Sequence, residues 1–136
     1  MAKECVLIKE LEAPVSIPCA VGDSWEKGSV LKISDDYTAA ITAGDTDPVI
    51  GIAAEEKIAN VGTQCSVYLR GIFRGYAGAA GVTVGMGIIT DTATGEANEL
   101  VDADLNSEHL VGTALATATD GETFHFLLNP FGIQLA

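Results

Sequence analysis

The stretch GIAAEEKIANVGTQCSVYLRGIFRG, residues 51–75, carries both arginines of the chain, Arg70 and Arg74. Its second part decides the fold class. Cys65, Val67 and Leu69 alternate with Ser66, Tyr68 and Arg70. A period of two puts one set on a buried face of a β-strand and the other on the opposite face. Gly71 offers a point for a bulge before Ile72 and Phe73. The first part reads differently. AAEEKIAN, residues 53–60, suits one or two helical turns with Ile58 on the inner face. The stretch is thus either a site or a piece of scaffold that presents a surface.

Working outward, the same strand signals recur. CVLIKE, residues 5–10, is extended and partly apolar, and Pro14 and Pro18 exclude a helix just after it. Strands are expected at residues 29–33, at 37–42, and from PVIGIA at 48–53. VTVG, residues 82–85, connects into a strand at GIIT, residues 87–90. TATGEANELVDADLNSEH, residues 92–109, reads as a long acidic loop. HLVGTALATATDGETFHFLLNPF, residues 109–131, reads as two strands around a turn at Asp120 and Gly121. The expected fold is mainly β: a small glycine-rich β-barrel-like (β-tulip-like) domain with one short helix and an extended N-terminal arm. Residues 1–17 form the arm or an edge strand, and 18–136 a single β domain.

A faint internal echo runs through the chain. PVIGIA at 48–53 matches HLVGTA at 109–114, and VGTQCSVYLRGIF at 61–73 matches TDGETFHFLLNPF at 119–131. Gly22 and Gly85, Gly51 and Gly112, and Gly62 and Gly121 are separated by 63, 61 and 59 residues. The pattern suggests two similar halves, 18–75 and 80–131, in a closed sheet that leaves few unpaired edges.

Charge narrows the function classes. The 136-residue chain has a formal charge of −12, with seven basic and 19 acidic residues. All the basic residues lie at or before Arg74, so residues 75–136 hold no Lys or Arg. A nucleic-acid surface needs clustered cations to release counterions, so direct nucleic-acid binding is not expected. The asymmetry serves solubility, or it marks a polarised particle whose basic part faces one partner. Cys5, Cys19 and Cys65 form no CxxC pair and point to a reducing compartment with buried or incidental thiols. MAKECVLIKE has too short an apolar run for a signal peptide, and no window is long enough for a membrane helix.

Catalytic chemistry is hard to find. There is no G-x-S-x-G and no H-E-x-x-H. His109 and His125 read as structural or exposed; with Asp102 or Glu108 they make only a weak divalent-ion alternative. DADLNSE, residues 102–108, alternates oxygen donors like a calcium loop but lacks its central glycine. The glycines at 78, 81, 85 and 87 have no G-K-[ST] ending and serve turns and close contacts. No catalytic residue, metal ligand or cofactor is therefore assigned. Trp25, in a polar turn, either folds over a barrel end or anchors an interface, and Phe131 poses the same choice. Arg70 and Arg74 either pair with surface acids or present bidentate donors to a partner's carboxylates.

Taken together, PVIGIAAEEKIANVG, CSVYLRGIFRGYAG, VTVGMGI and LVGTALATATDGETFHFLL, spread over residues 15–131, resemble the capsid cement or head decoration proteins of tailed double-stranded DNA bacteriophages. The resemblance implies no enzyme activity. It implies a homotrimer on the outer surface of the mature icosahedral capsid, bound to the major capsid protein and resisting the pressure of packaged DNA. Such a protein is made in the host bacterial cytoplasm and resides in the virion. The resemblance also implies that the N-terminal arm, with Lys3, Cys5, Val6, Leu7, Ile8 and Lys9, adds a strand to the capsid. Trp25, Arg70, Arg74 and Phe131 are the candidate subunit or capsid contacts. The alternatives are another virion β-module, such as a head fibre base or minor tail component, and a small ligand-binding barrel or enzyme.

Overall fold

The computed structural model describes residues 4–42, 47–91, 99–103 and 109–130. Lys3, Phe131, the tip of the acidic stretch 92–98 and most of the calcium-loop-like segment lie outside the described residues. Eleven strands are present: β1 (Val6–Glu10), β2 (Val15–Pro18), β3 (Val30–Asp35), β4 (Thr38–Ile41), β5 (Val49–Ala53), β6 (Gln64–Tyr68), β7 (Gly71–Ala77), β8 (Gly87–Thr90), β9 (Glu99–Asp102), β10 (Gly112–Ala114) and β11 (Thr123–Leu128).

They form two sheets. The first runs β2-β6-β5-β3-β4, and a parallel bridge from Cys19 to Ala39 draws its two ends together. The second runs β1-β7-β11-β10-β8-β9, and β9 pairs back onto β7 in parallel, which closes β7 to β11 into a five-stranded barrel. Moving each strand of the first sheet five places along the chain gives β7-β11-β10-β8-β9, the order of that barrel. The connections correspond as well. Trp25 and Lys57 exchange both backbone hydrogen bonds, at 3.0 and 2.9 Å, as do Val82 and Ala118, at 2.9 and 3.0 Å. Gly28 donates to the Ala53 carbonyl and Gly85 to that of Ala114. Both glycines sit at positive φ, 93° and 85°, where a Cβ is strained. Gly28 rather than Gly22 is thus the structural counterpart of Gly85. The boundary between the two strand sets falls at Leu69 and Arg70, between β6 and β7.

The mainly-β expectation with a closed barrel holds, but the short helix does not: there is no helix among the described residues. Residues 54–60 are committed elsewhere. Lys57 makes its two backbone hydrogen bonds to Trp25, 32 positions away, and a helix would need those groups for its own turns. The Lys57 side chain reinforces the choice. Its residue is only 5% exposed, and its Nζ donates to the carbonyls of Val21, Asp23 and Ile58 at 3.3, 3.3 and 2.9 Å. Ile58, expected on an inner face, is 55% exposed.

Within the segment expected as an arm or an edge strand lies β1, at the edge of its sheet and antiparallel to β7 from Val6 opposite Arg74 to Glu10 opposite Gly71, with a bulge between Leu7 and Lys9. One further expectation changes. Inside the expected acidic loop lies β9, whose Glu99, Leu100 and Val101 are buried and whose pairing closes the barrel.

The core has one large cluster that crosses between the two strand sets. It joins Val30, Val49 and Ile52 to Phe73, Ile88, Leu100, Phe124, Phe126 and Leu128. A second cluster, with Ile17, Trp25, Leu31, Cys65 and Val67, fills the first sheet.

Candidate functional site

β7 decides which side chains face outward. Gly71, Phe73, Gly75 and Ala77 are buried, while Ile72, Arg74 and Tyr76 are half-buried on the opposite face. Directly paired residues of an antiparallel sheet share a face. Two rows therefore cross three strands: Val6, Arg74 and His125 in one, and Lys9, Ile72 and Leu127 in the other. His125 is exposed between buried Phe124 and Phe126, as its alternation predicts. The bulged Ile8 and the edge residue Val6 are 47% and 44% exposed beside these rows. This outward face of β1, β7 and β11 is mixed apolar and basic, on a strongly acidic chain.

Arg74 has an unusual position on it. Its Nε is buried and has no hydrogen-bond partner among the described residues. Arg70 is not on this face by strand geometry: it is exposed in the link between β6 and β7. Trp25 is 5% exposed, packs in the first sheet's core and leaves its Nε1 without a partner among the described residues. A ring so placed presents almost no surface to another molecule. Of the N-terminal residues, Cys5 is buried, Leu7 packs on the large core cluster, and Val6, Ile8 and Lys9 look outward. Sequence periodicity alone missed the grouping of Lys9 with Ile72 and Leu127, because it depends on the bulge in β1.

Next to this face is an open cavity of about 520 Å³ lined by Glu4, Cys5, Val6, Leu7, Lys27 and Tyr76. Its thiol is a poor nucleophile. Burial, with Glu4 adding to it, pushes Cys5 up to about 12. Burial and then the neighbouring Cys19 push Cys65 to about 12 as well, and its Sγ lies 3.2 Å from the Ile17 carbonyl. A thiolate is the reactive form, so neither thiol is activated. Unfolded thiols ionise near pH 8.5. The folded state holds its protons to higher pH, so this contribution to stability is complete below about pH 8.5 and is lost as pH rises toward 12. The urea midpoint is expected to fall steadily from pH 8.5 to 11, and to fall less in Cys5→Ala. An equal fall in both proteins would refute the assignment.

Among the described residues no group of three or more His, Cys, Asp or Glu side chains could hold a metal ion. No helix is long and apolar enough to cross a membrane among them. What the geometry of the described residues offers is a face for contact.

Comparison with known proteins fixes the fold relationship. No family model matches the chain, and no curated protein matches it. Among solved structures it is similar to the head fiber gp8.5 N base of bacteriophage phi29, with a TM-score of 0.56 and 18% identity. The match covers 86% of this chain and 95% of that one. At that identity the likeness establishes a shared fold. It also corrects the resemblance to capsid cement and decoration proteins: the structural relative is a head-fibre base.

Proposed function

We propose that this chain is a non-catalytic structural module of a tailed-phage virion, a base that seats a fibre on the head. The observation that carries the reading is the nearly end-to-end fold match to a head-fibre base. The absence of a metal cluster among the described residues and the unactivated thiols agree with it. A base must present contact surface on a rigid support. The outward face of β1, β7 and β11 is such a surface, and Val6, Ile8 and Lys9 belong to it as parts of the barrel.

We further infer that the two strand sets are copies of one unit, given their common order and matching connections. Self-association as a homotrimer and contact with the major capsid protein belong to the same proposal, because a fibre base has to meet both a fibre and a shell. Immunogold labelling of purified virions tests the reading. Label on heads at fibre attachment points is the expected result. Label on tails, or particles that carry none, would overturn it.

A further inference from the structure

We propose that the outward face of β1, β7 and β11 binds an acidic, extended peptide segment of another protein, with one carboxylate taken by the Arg74 guanidinium. The inference rests on the geometry of this face and is independent of the virion reading.

The argument begins with Arg74. A guanidinium keeps its charge at any ordinary pH and presents donors in a planar fork. Its Nε is out of contact with water and makes no hydrogen bond to a described residue. A buried donor left unpaired is costly, and more so on a charged group. The strand register leaves little nearby to relieve it, since the residues directly opposite are Val6 and His125, neither an acid. A carboxylate arriving from outside would meet the part of this half-buried side chain that lies beyond Nε, in half-dry surroundings where charge-assisted pairs are strongest.

The flanks define the rest of the ligand. Lys9, in the adjacent row, adds a second cation on the same face. Ile72 and Leu127 lie half-buried between strands and offer apolar contact to a segment laid across them. Two other cations are engaged elsewhere: Lys32 pairs with Asp47 at 3.2 Å, and Lys57 is held by three carbonyls. Arg74 and Lys9 thus set two positive charges in adjacent rows of one face on a chain of net charge −12. That total disfavours long polyanions such as nucleic acid, whose approach senses the whole field. A short segment with one or two carboxylates between apolar side chains senses mainly the local face, because distant charges are screened beyond about 8–10 Å.

The chain's two arginines make a direct test available, since each gives one Nε–Hε signal in a proton–nitrogen correlation spectrum and Arg70→Lys assigns them. The probes are the capped pentapeptide Val-Glu-Val-Glu-Val, its Val-Gln-Val-Gln-Val analogue, and inorganic phosphate. The expected result is a saturable shift of the Arg74 signal and of the His125 amide with the acidic peptide. The Arg70 signal should stay in place, and the Gln analogue should bind at least tenfold more weakly. Arg74→Gln, checked for an intact amide spectrum, should abolish the His125 response. No shift, equal movement of both arginines, or an equal response to the Gln analogue or to phosphate would overturn the proposal. So would an Arg74 signal that depends on protein concentration without peptide, because the face would then be taken by a second copy.

Discussion

Gly112→Ala is expected to cost about 3 kcal/mol or more, enough to leave much of the protein unfolded. Gly112 lies in β10, opposite Leu128, and a Cβ built on it would run into the Leu127 carbonyl oxygen, with the Leu127 carbon and the Asn129 nitrogen close behind. All three are backbone atoms of the neighbouring chain segment. They cannot swing aside as a side-chain tip does, so relief requires opening the β10–β11 ladder. Gly51 stands in the same relation to the Tyr68 carbonyl in the first sheet, and Gly51→Ala should behave alike. Gly85→Ala is the control. There the φ is 85° but nothing lies within 4 Å of the new atom, so only the backbone cost of about 1–2 kcal/mol applies. Urea denaturation followed by circular dichroism measures all three. A Gly112→Ala variant no less stable than Gly85→Ala would show that the ladder yields easily and that close approach does not hold this barrel together.

Those two glycines also explain why the family reading went astray. Two of the four segments that carried the resemblance, PVIGIAAEEKIANVG and LVGTALATATDGETFHFLL, contain Gly51 and Gly112. Each is there because a strand crosses its neighbour too closely for a Cβ. The motif reports a packing requirement of the barrel, and any virion module built on that barrel must meet it. It therefore carries the fold and is silent on whether the protein clamps a shell or seats a fibre.

Legibility along the chain followed the range of the interactions. β6, β7 and β11 were readable because their burial alternates residue by residue, the signature of one wet and one dry face. Their neighbours in space were less visible. β9 is four residues long in an acid-rich stretch, and what makes it a strand is pairing on both sides, antiparallel to β8 and parallel to Tyr76 and Ala77, over 20 positions earlier. The helix expected around Lys57 failed for a similar reason, since its competitor is a bridge to Trp25. Arg74 was singled out from composition alone. Its separation from Arg70 depends on the chain leaving β6 at Tyr68 and starting a new strand at Gly71, and a continuous strand would have given the two different neighbours.

Phe126→Ala is expected to lower stability by about 3–5 kcal/mol, the usual range for emptying a fully buried aromatic site. Phe126 is 0% exposed and sits between Phe73, 6.1 Å away in a stacked arrangement, and Phe124, 5.8 Å away and tilted. Its removal leaves those two rings and Leu100 facing a void; Gly75 lies against both Leu100 and Phe126 and has no side chain to fill it. The larger consequence concerns cooperativity. The cluster around Phe126 also contains Val30, Val49 and Ile52, which belong to β3 and β5 of the other sheet. Loss of the ring should therefore weaken both strand sets at once. Trp25, the lone tryptophan, reports on the first sheet, because it is buried in that sheet's own cluster. In Phe126→Ala the urea transition seen by Trp25 fluorescence should move to lower denaturant together with the transition seen by circular dichroism. A fluorescence transition that stayed at the parent midpoint, while part of the β signal melted early, would mean that each strand set is stable alone. The shared apolar cluster would then be a contact between two independent units and could not be the common core that makes them unfold as one.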